Sequence, residues 1–109
     1  MSNIFDDREK NFEAKYRHDE ELRFKIQVRR DKLIGLWAAS KIGLASKDAE
    51  AYAKALIEKN LMKHVDEHLV ETLGADFKAH NLEISPHRIR RHLEECLEEA
   101  RAEVMKDIR

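Results

Sequence analysis

The sequence predicts an all-α protein: a four-helix bundle with a long N-terminal helix whose first part is exposed or mobile. Three observations carry this. The chain has 3 glycines and 1 proline in 109 residues, and β-branched residues are sparse, which disfavours a strand-rich fold. Its apolar residues recur at helical rather than alternating spacing. Start and stop signals then divide it into four stretches with short connections, the pattern of a bundle. A chain of this length makes one domain, able to bury roughly two-thirds of its unfolded surface.

The first helix is expected from near Phe5 or Asp6, with Asn3 as a cap and Asp6 and Asp7 at the positive end of the helix dipole. Phe5, Phe12 and Tyr16 fall on one thin line, interrupted by Arg8 and Glu9. From Leu22 a denser stripe follows, made of Leu22, Ile26, Leu33, Leu36 and Trp37. It is rotated by roughly 80° from the first and reads as a core face. Phe24 and Val28 lie on the opposite side. The helix should end near Ile42, with Gly43 as its left-handed C-terminal residue.

Ser46 is the expected cap of a second helix, which buries Ala49, Tyr52, Ala53, Leu56 and Ile57 and frays over 60–63. A third helix starts near Asp66, presents Leu69, Val70, Leu73 and Phe77, and stops at His80-Asn81. Gly74 weakens it by about 1 kcal/mol relative to Ala. Leu82 and Ile84 plug the end of the bundle. Ser85-Pro86 is a strong start signal for the last helix. There Ile89, Leu93, Cys96, Leu97, Ala100, Val104 and Ile108 form the cleanest amphipathic pattern in the chain.

Composition limits function. Charged residues make up 39% of the chain at a net charge of −1, so neither nucleic acid nor an anionic membrane is the default partner. One cysteine excludes an internal disulfide framework and suits a reducing cytoplasm. No apolar run approaches a membrane span, and the N-terminus is too charged for a secretory signal and too acidic for a transit peptide.

The N-terminal segment stands apart. The first 32 residues carry 17 charges. Acids precede bases by four residues at Asp6–Lys10, Glu13–Arg17, Asp19–Arg23 and Glu21–Lys25, and each pair adds about 0.2–0.5 kcal/mol in an isolated helix. That support is small against a nucleation penalty of about a thousandfold. Residues 1–20 are therefore expected to form a partner-binding segment, nascent or mobile up to about His18 in the free protein, and residues 21–109 the bundle. The alternative is a stable first helix whose charged overhang only aids solubility.

Other constellations carry weaker signals. Ser85, Arg88, Arg90 and Arg91, beside His92, gather at a helix N-terminus where free N–H groups could join them around a phosphate. No glycine-rich loop accompanies them, and pairing with nearby acids is the competing reading. His64 and His68 share metal-like spacing but straddle a helix start, so no metal site is expected. Asp76 and His80 read as a local hydrogen bond near a helix end. Cys96, Trp37 and Tyr52 read as core or core edge, and no catalytic arrangement is legible.

The run Phe5-Asp6-Asp7-Arg8-Glu9, with Phe12-Glu13-Ala14-Lys15, His18-Asp19, Phe24-Lys25, Arg29-Arg30, Lys32-Leu33 and Gly35-Leu36-Trp37-Ala38-Ala39, resembles the zeta subunit family of alphaproteobacterial ATP synthases. Ala51-Tyr52-Ala53-Lys54, Ala75-Asp76-Phe77 and the last helix fit the same pattern. The resemblance implies a non-enzymatic four-helix protein, monomeric when free. It would bind the catalytic head, made of α, β and γ subunits, and suppress ATP hydrolysis. It implies that the N-terminal segment inserts between catalytic α and β subunits and reaches toward γ, with Phe5, Arg8, Phe12, Lys15 and Tyr16 in contact. The location implied is cytoplasmic, peripheral to the inner membrane through the synthase and without direct membrane insertion. No cofactor is implied, although weak ATP or ADP binding is associated with the family. A small helical nucleotide-sensing regulator is therefore the second reading.

Overall fold

A computed structural model describes the backbone of residues 4–63 and 65–108, and the side chains of residues 19–61 and 65–107. It contains four helices: α1 (Ile4–Ile42), α2 (Ser46–Lys63), α3 (Asp66–Ala79) and α4 (Pro86–Ile108). Each boundary has a local cause. Gly43 at φ 97° ends α1 in a paired turn, with Leu44 N–H donating to Ala39 O at 2.8 Å and Gly43 N–H to Ser40 O at 3.2 Å. This is the glycine-terminated motif that satisfies the last helical carbonyls. Asn81 repeats the device after α3 at φ 58°, with Leu82 N–H reaching Phe77 O at 2.8 Å. Ser85 Oγ accepts from the N–H of Arg88 at 3.2 Å, and Pro86 opens α4 as expected.

Ser46 departs from expectation. Its backbone lies in the left-handed region at φ 50°, not in the extended conformation of an N-cap. The first turn of α2 is closed instead by Asp48 N–H donating to Ala45 O at 3.2 Å. α2 also continues through the expected fraying point to Lys63.

α1 is the spine. α2 packs antiparallel along one side, with Asp31 opposite Asn60 and Gly35 opposite Ala53. α4 packs antiparallel along another, with Trp37 at His92 and Arg29 at Glu103. α2 and α4 make no close backbone approach to each other among the described residues, and α3 bridges the three. Ile34, Ala38, Leu56, Leu69, Val70, Leu73, Phe77, Ile89, Leu93 and Cys96 form one continuous core. The edge of the Trp37 ring meets Phe77 at a centroid separation of 5.5 Å, a favourable aromatic arrangement.

The core faces expected for α3 and α4 are observed, with Leu97 half-buried and the Ile108 side chain outside those described, but α1 is oriented differently from its sequence pattern. Its most buried positions are Arg30, Asp31, Ile34, Gly35, Ala38 and Ala39. Leu22, Ile26, Leu33, Leu36 and Trp37 are only half-buried and flank that face. Around Gly35 the buried face is lined by Ala38 and Ala39, and its other buried positions are Arg30, Asp31 and Ile34. A Cβ added at Gly35 would lie 2.8 Å from Ala53 Cα, so this glycine sets how closely α1 and α2 approach.

A buried polar cluster occupies the same face. Arg30 and Asp31 are 6% and 1% exposed, and Asn60 is 2% exposed. Arg30 donates to Asp31 Oδ1 from Nε at 3.1 Å and Nη2 at 2.9 Å. It also donates to the two Asp66 oxygens at 2.9 and 3.3 Å. Asn60 Nδ2 donates to Asp31 Oδ2 at 2.7 Å. Burial opposes the Arg30 charge, but the hydrogen bonds and charges of Asp66 and Asp31 outweigh it and raise its pKa above the ordinary value. The cluster ties α1 to the end of α2 and the start of α3. Asn60 Oδ1 has no hydrogen-bond partner; turning the amide over would aim that oxygen at the Asp31 carboxylate.

The molecule measures 70 × 25 × 21 Å. A 39-residue α1 spans about 58 Å at 1.5 Å per residue. The last described ion pair of α4 with α1, Arg29 to Asp107 at 3.7 Å, lies near the middle of α1. The backbone of α1 therefore runs on past the ends of its neighbours. The expected mobility up to His18 concerns residues whose side chains lie outside those described.

Gly35→Ala should lower the unfolding midpoint, because a backbone atom blocks the new methyl. The cost is about 1–3 kcal/mol of overpacking, against about 1 kcal/mol of improved helix propensity. Gly74→Ala should do the opposite and stabilise by up to about 1 kcal/mol, since its nearest neighbour would be Ile89 Cδ1 at 4.0 Å. Asp31→Ala should cost about 3–5 kcal/mol in urea unfolding, by leaving the buried Arg30 guanidinium with Asp66 alone and Asn60 Nδ2 without its acceptor, while joint replacement of Arg30 and Asp31 by Met and Leu costs less.

Tyr52 gives a pH prediction. Its hydroxyl donates to Asp76 Oδ2 at 2.6 Å. Burial, then the hydrogen bond and charge of Asp76, push the phenol well above its ordinary pKa. Stability from this raised pKa is fully present below about pH 10, the unfolded phenol value, and is lost as pH rises through the folded value. Absorbance titration should show a delayed tyrosinate step that Tyr52→Phe removes.

Candidate functional site

The sequence points first to the leading part of α1. Phe5, Arg8, Phe12, Lys15 and Tyr16 lie within the helical backbone of α1, and their side chains lie outside the described residues. Phe12 and Tyr16 precede Arg30 and Ile34 by eighteen residues each, which is five helical turns. Further along, Arg30 meets α3 at Asp66.

The second candidate, the start of α4, is divided by the fold. Ser85 Oγ is engaged as the cap of α4. Arg90 donates from Nε and Nη2 to the two oxygens of Glu67 at 2.9 and 3.0 Å, a bidentate pair joining α4 to α3. Through that hydrogen bond the Arg90 pKa is raised and the Glu67 pKa lowered. Arg91 lies 3.9 Å from Glu95. Arg88 and Arg91 border one open groove of about 260 Å³ with His92 and Glu95, whereas Arg90 borders a different one with Glu67 and Pro86. The fold thus brings Arg88 and Arg91 together and turns Arg90 away.

His92, His80 and Asp76 have structural partners. His92 Nδ1 sits 3.1 Å from Glu95 Oε2, and its ring lies 4.0 Å from that of Trp37. His80 Nδ1 is 2.8 Å from the carbonyl of Asp76, while the Asp76 carboxylate serves Tyr52. That is the local bond expected near the helix end. Burial, then the Glu99 and Glu95 charges, push the Cys96 thiol up to about 11, so it is protonated and inert at neutral pH. Among the described residues no three His, Cys, Asp or Glu side chains converge as a metal site; His64 lies outside them. No helix among the described residues is long and apolar enough to cross a membrane.

Two surface features escaped the sequence. One is a groove of about 750 Å³ where Arg23, Gln27, Arg30 and Arg101 surround Ile26, Val65 and Leu97. The other, of about 460 Å³, contains Phe24, Val28 and Val104 between Lys25 and Lys32. Both lie where the bundle gives way to the extended part of α1. The only sequence signal was Phe24 and Val28 standing four apart on the wrong side of the expected core stripe.

No curated protein matches the chain significantly. A family model described as ATPase inhibitor subunit zeta matches residues 1–103. With nearly the whole sequence covered, from α1 through most of α4, the chain belongs to the ATPase inhibitor subunit zeta family.

Proposed function

We propose that this protein suppresses ATP hydrolysis by an F-type ATP synthase, with residues 1–20 inserting between catalytic α and β subunits near the γ rotor. Residues 21–109 are the body that remains outside. The observation that carries this reading is one helix serving both parts. α1 leaves the bundle without a break, in a chain of an inhibitor family.

The physical case is that of a wedge. Rotary catalysis opens and closes the α/β interfaces in turn, and a helix lodged in one adds a barrier to that step. Phe5, Phe12 and Tyr16 are the anchors that fill pockets, while Arg8 and Lys15 set register and discriminate partners. A segment ordered only on binding costs about 2–5 kcal/mol; continuity with the body reduces that cost, because the helix is already nucleated at the bundle. The protein acts without chemistry of its own, at the cytoplasmic face of the inner membrane where the synthase stands. Phosphate contact by Ser85, Arg88, Arg90 and Arg91 is less favoured, since the cap and the Glu67 pair already engage two of the four.

Phe5→Ala with Phe12→Ala should weaken inhibition of the isolated catalytic head by tenfold or more, taking about 1.4 kcal/mol per decade, with little change in the urea midpoint of the free protein. Deleting residues 1–20 should abolish inhibition while leaving cooperative unfolding. Arg88→Ala with Arg91→Ala should leave it intact. Inhibition that survives the deletion, or a bundle that melts on loss of the two rings, rules this reading out.

A further inference from the structure

We propose that the groove between the middle of α1 and the end of α4 docks an acidic segment of the ATP synthase catalytic head carrying a large apolar side chain, as a second contact beside the inserted arm. This rests on the inhibitory function proposed above and adds to it a site for the body of the protein.

Phe24 is the starting point. It is 53% exposed, although every other described aromatic is buried or half-buried. It is not isolated: Val28 and Val104 lie beside it, and the groove they share holds about 460 Å³, within the roughly 300–1,000 Å³ of typical ligand clefts. An aromatic left in water beside two valines is the composition of an unfilled interface core.

Charge identifies the occupant. The ionisable groups bordering the groove are Lys25, Arg29, Lys32 and Asp107. Arg29 binds Glu103 at 2.8 Å and lies 3.7 Å from Asp107, so one guanidinium offsets one of the two carboxylates and a single negative charge remains against the two lysines. Lys25 and Lys32 make no ion pair among the described residues. The unanswered charge at the rim is therefore positive, and a complementary partner is acidic. A second copy of this chain fits poorly, because a two-fold contact would set lysine rims against each other. A lipid surface also fits poorly, since Glu103 and Asp107 stand beside the groove in a chain of net charge −1.

Position completes the case. Phe24 follows the end of the proposed arm by four residues, one helical turn or about 6 Å. With the arm inserted, this groove lies at the outer surface of the head. Two weak contacts on one helix then act together, since binding of the first raises the effective concentration of the second.

The test uses the full chain and the purified catalytic head. Phe24→Ala, and separately Lys25→Glu with Lys32→Glu, should raise the half-inhibitory concentration about tenfold at unchanged maximal inhibition. The lysine variant should also invert the salt response of the groove contact, because screening then relieves a repulsion. The unfolding midpoint of Phe24→Ala should match that of the unsubstituted chain. A photo-crosslinking residue at position 24 should label an acidic stretch of the head. The groove proposal is overturned if the unsubstituted chain inhibits and both groove variants match it. It is equally overturned if the crosslink joins two copies of the chain, or forms only with anionic vesicles. Failure of the unsubstituted chain to inhibit sinks the arm mechanism instead, and the crosslink then decides the groove independently.

Discussion

The close approach of α1 and α2 governs the rest of the fold. Gly35 lets α2 come within contact of the α1 backbone. At that separation the neighbouring positions must be small, and Ala38, Ala39 and Ala53 are. One turn earlier the same face carries Arg30 and Asp31, whose charges are buried with Asn60 and Asp66 as partners. Small residues set the distance between the helices, and the polar cluster sets their register. Sliding α2 by a turn would take Asn60 away from Asp31 Oδ2 and leave both with an unmet buried hydrogen bond.

This arrangement shows how much of the fold was legible in the sequence. The helix ends were, because Gly43, Asn81 and Ser85-Pro86 act through local backbone geometry. α3 and α4 were too, since each has one apolar face against one core. α1 was not: apart from Ile34 its buried side consists of Gly, Ala, Arg and Asp, which carry little or no apolar signal. The eye is drawn instead to Leu22, Leu33 and Trp37, which form the flank. Asp31, Ile34 and Ala38 stand at core spacing, but a charge run reads as a solvated face. Asn60 falls where α2 is expected to fray, and a polar side chain there carries no sign of its burial.

The candidate sites divide similarly. Family resemblance rests on the spacing of Phe5, Phe12 and Tyr16 and on Gly-Leu-Trp-Ala-Ala, both visible in one dimension. The groove at Phe24 depends on where α4 ends relative to α1, a tertiary fact. The arginines at the start of α4 looked like one cluster in sequence. Helical spacing sends Arg90 to α3 and leaves Arg88 and Arg91 on another side, because residues two apart on a helix point in different directions.

A single uninterrupted α1 has a mechanical consequence. Any force at its leading end reaches the bundle as a bending moment on a cantilever, with no hinge to absorb it. The clamp that resists lies where the rod enters the body: the guanidinium of Arg30, held from two sides by carboxylates, and the Arg29 bridge to α4. A glycine or proline placed between that clamp and the tip would turn a stiff lever into a tether, with every side-chain contact at either end preserved.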